Sequence, residues 1–168
     1  MTDDRRSRAA AVELSVVSPD EHAGAQHALA SYFAEIDARF AHGYTKSGPV
    51  AAEPGSTYVL ATIDGEPVAY GGLRPTSLDA TTTELKRMWV HPDWRGAGLG
   101  SRMLRHLEAL AAELGARRLV LDTNEALAEA ITMYDRAGYR RIDRYEGSDP
   151  HATHFFEKTL GRPNQGDR

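Results

Sequence analysis

The stretch Glu84–Ser101, ELKRMWVHPDWRGAGLGS, decides how the rest of the chain is read. Glu84 to Val90 mixes apolar and charged residues over the length of a strand. His91-Pro92 closes that strand, because proline has no N–H for a ladder and restricts the residue before it. Arg95-Gly96-Ala97-Gly98-Leu99-Gly100 follows, and a helical pattern begins at Ser101. Alternating glycines before a helix make a loop whose backbone approaches a ligand closely. The first N–H groups of that helix lack internal partners and lie at the positive end of its dipole. Such a loop seats an anion, phosphate above all. A dinucleotide-binding loop is the nearest competitor, with Asp122 at about the right distance for a ribose. Ser101 stands where its third glycine belongs, and too little chain follows to complete a doubly wound fold. No Gly-Lys-Ser/Thr occurs, which excludes a P-loop.

Upstream, Val12–Val17 alternates as a strand. Ala25, Ala28, Leu29, Tyr32, Phe33, Ile36 and Phe40 then fall at helical spacing between Asp20 and Phe40. Ala41–Ser56 is broken by Gly43, Gly48, Pro49, Pro54 and Gly55 and reads as a long loop. Thr57–Ile63 and Pro67–Leu73 flank Asp64-Gly65 as a hairpin. Downstream, Leu99, Met103, Leu107, Leu110, Ala111 and Leu114 form one helical face that stops at Gly115. Leu119–Leu121 is a short strand. A second helix turns Leu127, Ala130, Ile131 and Tyr134 inward and ends at Gly138. Tyr139–Tyr145 and Thr153–Leu160 read as two closing strands. Strands alternating with helices in the second half predict a mixed α/β sheet.

The chain has 168 residues, one domain by size, with a formal net charge of -4. Met1–Ala11 reads as a flexible leader, 12–160 as the domain and 161–168 as a flexible tail. The charge argues against a general nucleic-acid binder. No apolar run approaches the roughly 18 residues of a membrane span, and no secretory h-region follows the charged start. Without cysteine, disulfides, thiolate metal sites and a thiol nucleophile are excluded. The seven histidines show no clustered ligand pattern, so no metal is expected, and the cytoplasm is the expected compartment.

Arg95-x-x-Gly98-x-Gly100 after a strand ending in Val90 resembles the acetyl-coenzyme A pyrophosphate loop of the GNAT acetyltransferase superfamily. Asp122–Tyr139, DTNEALAEAITMYDRAGY, resembles that superfamily's later helix, with its alanine, tyrosine and terminal Gly-aromatic pair. The similarity runs from about Val12 to Leu160, and the combination with YFAEIDARF and HFFEK looks like a bacterial subgroup. It implies a GNAT acyl-CoA N-acyltransferase fold: a mixed central sheet flanked by helices and splayed between its fourth and fifth strands, with coenzyme A in the split. It implies acetyl-CoA as co-substrate, held by Arg95, Gly96, Ala97, Gly98, Leu99, Gly100 and Ser101 and by the backbone of Met88, Trp89 and Val90. The acceptor is then an amine of a small molecule or peptide, and two copies can pair through their late strands.

Direct acetyl transfer needs a neutral amine, a donor to the developing oxyanion and a proton for the departing thiolate. By the resemblance, Tyr134 supplies that proton, although it also shares a core face with Leu127 and Ile131. The N–H of Met88 or its neighbour is the oxyanion donor. Glu84 is the candidate base, acting through water or by binding the ammonium. Bringing a lysine-like amine of pKa about 10.4 to neutral at pH 7 costs about 4.6 kcal/mol, against about 1.4 for an amine near 8. His151 and His154 are further candidates, their reference pKa being near neutral. Many superfamily members carry an asparagine seven residues before the tyrosine, where this chain has Leu127. Asn124 is either its substitute on the pantetheine arm or a helix cap. Tyr32, Glu35, Arg39 and His154 are expected at the acceptor. A module of this fold that binds acyl-CoA and regulates a partner without turnover is the alternative.

Overall fold

The computed structural model describes residues 3–44 and 52–162. The elements run α1 (Asp3–Ala10), β1 (Glu13–Val17), α2 (Ala23–Arg39), β2 (Thr57–Ile63), β3 (Glu66–Pro75) and β4 (Thr82–Val90). A 3-10 turn (Pro92–Trp94) leads to α3 (Leu99–Glu113), β5 (Arg118–Thr123), α4 (Ala128–Arg136), β6 (Arg140–Arg141) and β7 (His154–Thr159). Seven strands form one sheet in the order β1-β2-β3-β4-β5-β7-β6. All neighbours are antiparallel except β4 and β5, which run parallel, as the mixed sheet required.

Each face of the sheet has its own core, and strand alternation assigns the residues. Val59, Ala61 and Ile63 of β2 face Leu99, Met103, Leu104 and Leu107 of α3 in the larger cluster. Tyr58 and Leu60 face Ala25, Ala28 and Leu29 of α2 in the smaller one, with Tyr70 and Trp89. α2 starts three residues after Asp20, at Ala23, because His22 caps it: its Nδ1 accepts the N–H groups of Gly24 (3.1 Å) and Ala25 (3.4 Å).

Two elements differ from the sequence expectation. Where a flexible leader was expected, Asp3–Ala10 is a helix with acidic residues in its first turn and Arg8 in its last. Ala9 is buried, Arg8 lies over the Trp94 ring at 5.3 Å, and Arg102 of α3 donates to the Ala10 carbonyl. With so few apolar residues it carries no helical stripe, so only these long-range contacts reveal it. The strand expected over Tyr139–Tyr145 shrinks to Arg140–Arg141. Arg144 turns to the carbonyls of Asp149 and Ala152, and Tyr145 donates to Glu84, which takes the chain out of the ladder. The expected tail lies, from residue 163, outside the described residues.

Candidate active site

The loop after β4 offers backbone donors. Gly96 and Gly98 have φ of +81° and +85°, the left-handed region that costs an L-residue about 1–3 kcal/mol. Gly98 is the N-cap of α3, whose start is two residues earlier than the pattern suggested. The bond from the Arg102 N–H to the Gly98 carbonyl (3.1 Å) opens the helix, so the amides of Leu99, Gly100 and Ser101 precede any intrahelical partner. A Cβ at Gly96 or Gly98 would meet nothing within 4 Å, so conformation rather than crowding demands glycine there, and the space above the loop is open. At Gly100 the reason is crowding: a Cβ would stand 3.1 Å from the Met133 Sδ of α4. Leu99 is buried beneath, and Ala97 packs on the same core. Backbone donors, left-handed glycines and open space fit a pyrophosphate.

The sheet splits beside this loop. β4 and β5 pair at Thr82↔Arg118, Thr83↔Leu119 and Glu84↔Val120, and there the pairing stops. From Leu85 to Val90, β4 keeps only its β3 partner, and its register slips: Tyr70 faces Trp89 and Gly72 faces Lys86. Arg87 and Met88 therefore stand together opposite Gly71, a bulge in which Arg87 adopts φ +58°. Gly71 leaves room for it: a Cβ there would lie 2.6 Å from Leu107 Cδ1 and 3.0 Å from Met88 Sδ, so both side chains would have to shift. The bulge lies on the part of β4 that has lost β5, at Met88, where the sequence expected an oxyanion donor.

A cleft of about 320 Å³ opens over the split, with Tyr32, Lys86, Arg87, Met88, Asp122 and Tyr134 in its wall. Tyr134 is only 4% exposed, held by Tyr139 and Phe156 at centroid distances of 5.6 and 5.8 Å. Its hydroxyl makes no hydrogen bond among the described residues. Burial first, then the charge of Asp122, holds that hydroxyl's pKa above the ordinary tyrosine range. Core residue and cleft residue thus coexist in one side chain. Tyr32 lines the same cleft, its pKa raised by burial first and then by Tyr44, Tyr134 and Asp122.

The other sequence candidates have different surroundings. Glu84 is not a surface strand-end charge but is 1% exposed. Arg74 Nη2 reaches one of its oxygens at 2.5 Å, the Tyr145 hydroxyl donates to the other at 2.5 Å, and Lys86 lies 3.5 Å away. Glu84 borders a neighbouring hollow, not the cleft of Tyr134, so its geometry disfavours direct proton abstraction. Arg95 donates to the Val90 carbonyl (3.0 Å) and to Glu35 (2.6 Å), bracing the loop rather than overhanging it. Glu35 and Arg39, expected at the acceptor, form a relay instead: Arg95 to Glu35, Glu35 to Arg39 (3.2 Å), and Arg39 to Glu129 and the Ala126 carbonyl (2.7 Å). That relay joins the glycine loop, α2 and α4.

Asn124 is engaged on both sides. Its Nδ2 donates to the His151 carbonyl (2.7 Å) and its Oδ1 accepts the Ala126 N–H (2.9 Å), which favours the local structural role over the pantetheine contact. His154 pairs with Thr123 in the sheet, bonds Thr153 Oγ1, and does not line the cleft. His151 packs at a tilt against Tyr44, ring centroids 4.9 Å apart, and bonds Asp149. Arg87 and Asp149 are cleft residues to which the sequence assigned no role; Phe33, Tyr44 and Asp122 line it too, Phe33 from α2 and Asp122, weighed as a ribose partner, from β5. One signal for the bulge was available: Lys86 and Arg87 are adjacent charges where strict alternation would separate them.

The split sheet, the bulge and the glycine loop belong to the acyl-CoA N-acyltransferase fold. Residues 16–139 match the model of the Acetyltransferase (GNAT) family, and the chain belongs to that family. It is 33% identical over 117 residues to "Uncharacterized N-acetyltransferase YjgM" of Escherichia coli K12, covering 65% of this chain and 70% of that protein. It is 31% identical over 111 residues to an "IAA acetyltransferase" of Azospirillum brasilense, covering 65% and 71%. A crystal structure of a GNAT-family acetyltransferase from Staphylococcus aureus Mu50 superposes with a TM-score of 0.70 over 89% of this chain and 100% of that one, at 17% identity, a likeness of fold. Among the described residues no group of three or more His, Asp or Glu could hold a metal, and no helix is long and apolar enough to cross a membrane.

Proposed function

We propose that the protein is an acetyl-CoA-dependent N-acetyltransferase that acylates a primary amine by direct transfer, with Tyr134 as general acid. The observation that carries this is the Tyr134 hydroxyl, protonated, unpartnered among the described residues and lining the cleft beside the β4 bulge. The thioester supplies an activated acyl carbon; the chain's own residues do the rest. The amides of Leu99, Gly100 and Ser101 hold the pyrophosphate, and the free edge of β4 from Met88 to Val90 pairs with the pantetheine arm. The Met88 N–H donates to the carbonyl oxygen as charge develops on it. The C–N bond forms as the C–S bond breaks, and Tyr134 gives its proton to the departing sulfur. The amine's surplus proton leaves to water, which returns one to Tyr134. Glu84 acts as a positioning residue: it fixes Arg74 and Tyr145 at the point where β4 and β5 part.

The test is thiol release from acetyl-CoA across amino acids, polyamines, aminoglycosides and lysine peptides, with thermal shift by acetyl-CoA as control. Turnover with one class supports the reading. Stabilisation by acetyl-CoA without turnover on any of them favours a binding module that regulates a partner. Absence of both removes the glycine loop from acyl-CoA binding.

A further inference from the structure

Arg87 is the cleft residue that this reading leaves without a task. It occupies a left-handed backbone position, φ +58°, which costs a non-glycine residue about 1–3 kcal/mol. Glycine or asparagine would relieve that strain, so the arginine is offset only by what its side chain does. The side chain is 21% exposed, its guanidinium lies over the Phe33 ring at 5.4 Å, and the residue lines the cleft. Its nearest acid is Glu53, at 3.6 Å, and among the described residues it makes no hydrogen bond. Its neighbours differ. Arg74 bonds Glu84 through two nitrogens, and Lys86 bonds both oxygens of Asp122 at 3.2 and 3.1 Å.

A half-sheltered guanidinium with an open fork matches a carboxylate held by two parallel hydrogen bonds. The cleft also has an acidic end. The Asp122 side chain is 8% exposed, and its oxygen accepts the Asp149 N–H at 2.7 Å. Asp122, paired with Lys86, still contributes to raising the pKa of both Tyr134 and Tyr32, so a carboxylate lies beside the place where the amine must be delivered. Glu53, Asp122 and Asp149 together oppose a dianion such as phosphate and tolerate a singly charged carboxylate. A volume of about 320 Å³, shared with the pantetheine end, suits a small molecule.

We propose that the acceptor is a free amino acid, whose carboxylate is bound by Arg87 and whose amine is oriented toward Tyr134 by the field of Asp122. The inference rests on the acetyl-transfer reading and deepens it. Arg87 is thereby a specificity-determining residue in contact with the acceptor.

The experiment measures kcat/KM for thiol release with the twenty amino acids, each beside its carboxamide and, where available, the amine lacking the carboxyl group. Thermal shift of the CoA-loaded protein by the same compounds gives a readout independent of turnover. The expected result is a preference of roughly 100-fold or more for the best acid over its carboxamide. In Arg87→Asn, which tolerates the left-handed backbone, that preference falls below about 10-fold while acetyl-CoA affinity is kept. Arg87→Lys restores part of it. Equal use of acid and carboxamide overturns the proposal, as does a preference that survives in Arg87→Asn. So does stabilisation by CoA with neither turnover nor stabilisation by any amino acid. Acid-dependent stabilisation that Arg87→Asn abolishes, without turnover, upholds the anchor and removes the transfer reading.

Discussion

The two ends of the proposed site, the glycine loop and the cleft, are made of different material. At the loop end, recognition belongs to the backbone: two left-handed glycines, a helix start and amides that precede the first intrahelical bond. The loop's one charged side chain, Arg95, is turned away to Glu35. At the acceptor end, side chains dominate: Arg74 with Glu84, Lys86 with Asp122, Tyr44 with Asp149, and Arg87 with its open fork. A backbone site recognises a shape and is insensitive to its neighbours' side chains. A side-chain site recognises whatever charges its segments bring together, so in the proposed enzyme one loop would fix the donor and several segments the acceptor.

The contrast is broken most directly at Gly98. In Gly98→Trp the indole enters the anion seat from a residue forced into a strained backbone. Calorimetry should show acetyl-CoA binding lost with the circular dichroism spectrum kept; retained affinity would remove the loop from the cofactor site. Tyr134→Phe should lower kcat by about 10²–10⁴ with acetyl-CoA affinity unchanged. Because burial and Asp122 raise this hydroxyl's pKa, the acid form persists beyond the ordinary value near 10. The wild-type pH profile should therefore show no alkaline loss of kcat below about pH 10. A loss below that pH, or an unaltered rate in the variant, takes Tyr134 out of the mechanism.

Glu84→Gln separates support from chemistry. Uncoupling a buried carboxylate from a partly exposed arginine costs about 3 kcal/mol, the low end for such pairs, and urea unfolding would read it. Turnover per folded molecule should fall less than about 10-fold, whereas loss of a general base costs about 10²–10⁴. A larger fall would return Glu84 to the chemistry.

The smallest effect is at the relay. The Arg39 hydrogen bond holds the Glu129 carboxyl below its ordinary range against the opposing effect of burial. A depressed folded pKa stabilises above the unfolded value, about 4.3, and that stability fades as pH falls through the folded value. Glu129 is 57% exposed, so Glu129→Gln should cost only about 0.2–1 kcal/mol near pH 7 and flatten the acid limb of the stability curve. An unchanged acid limb would mean that solvent already screens the pair.

Short-range pattern accounts for what the sequence alone determined. The strand–loop–helix of Glu84–Ser101, the Asp64-Gly65 hairpin and the Leu99–Leu107 helix face are set by alternation, turn chemistry and 3.6-residue spacing within one segment. The family resemblance supplied the split and Tyr134. Tertiary structure decided the rest, because it depends on residues far apart in the chain. α1 is held by Trp94 and Arg102, and β6 is cut short by the pull of Glu84 on Tyr145. Glu35, Arg39 and Arg95 look like three independent surface charges until α2 and the glycine loop meet and join them. Arg87 acquires its place in the cleft only from a bulge that Gly71 permits on the neighbouring strand.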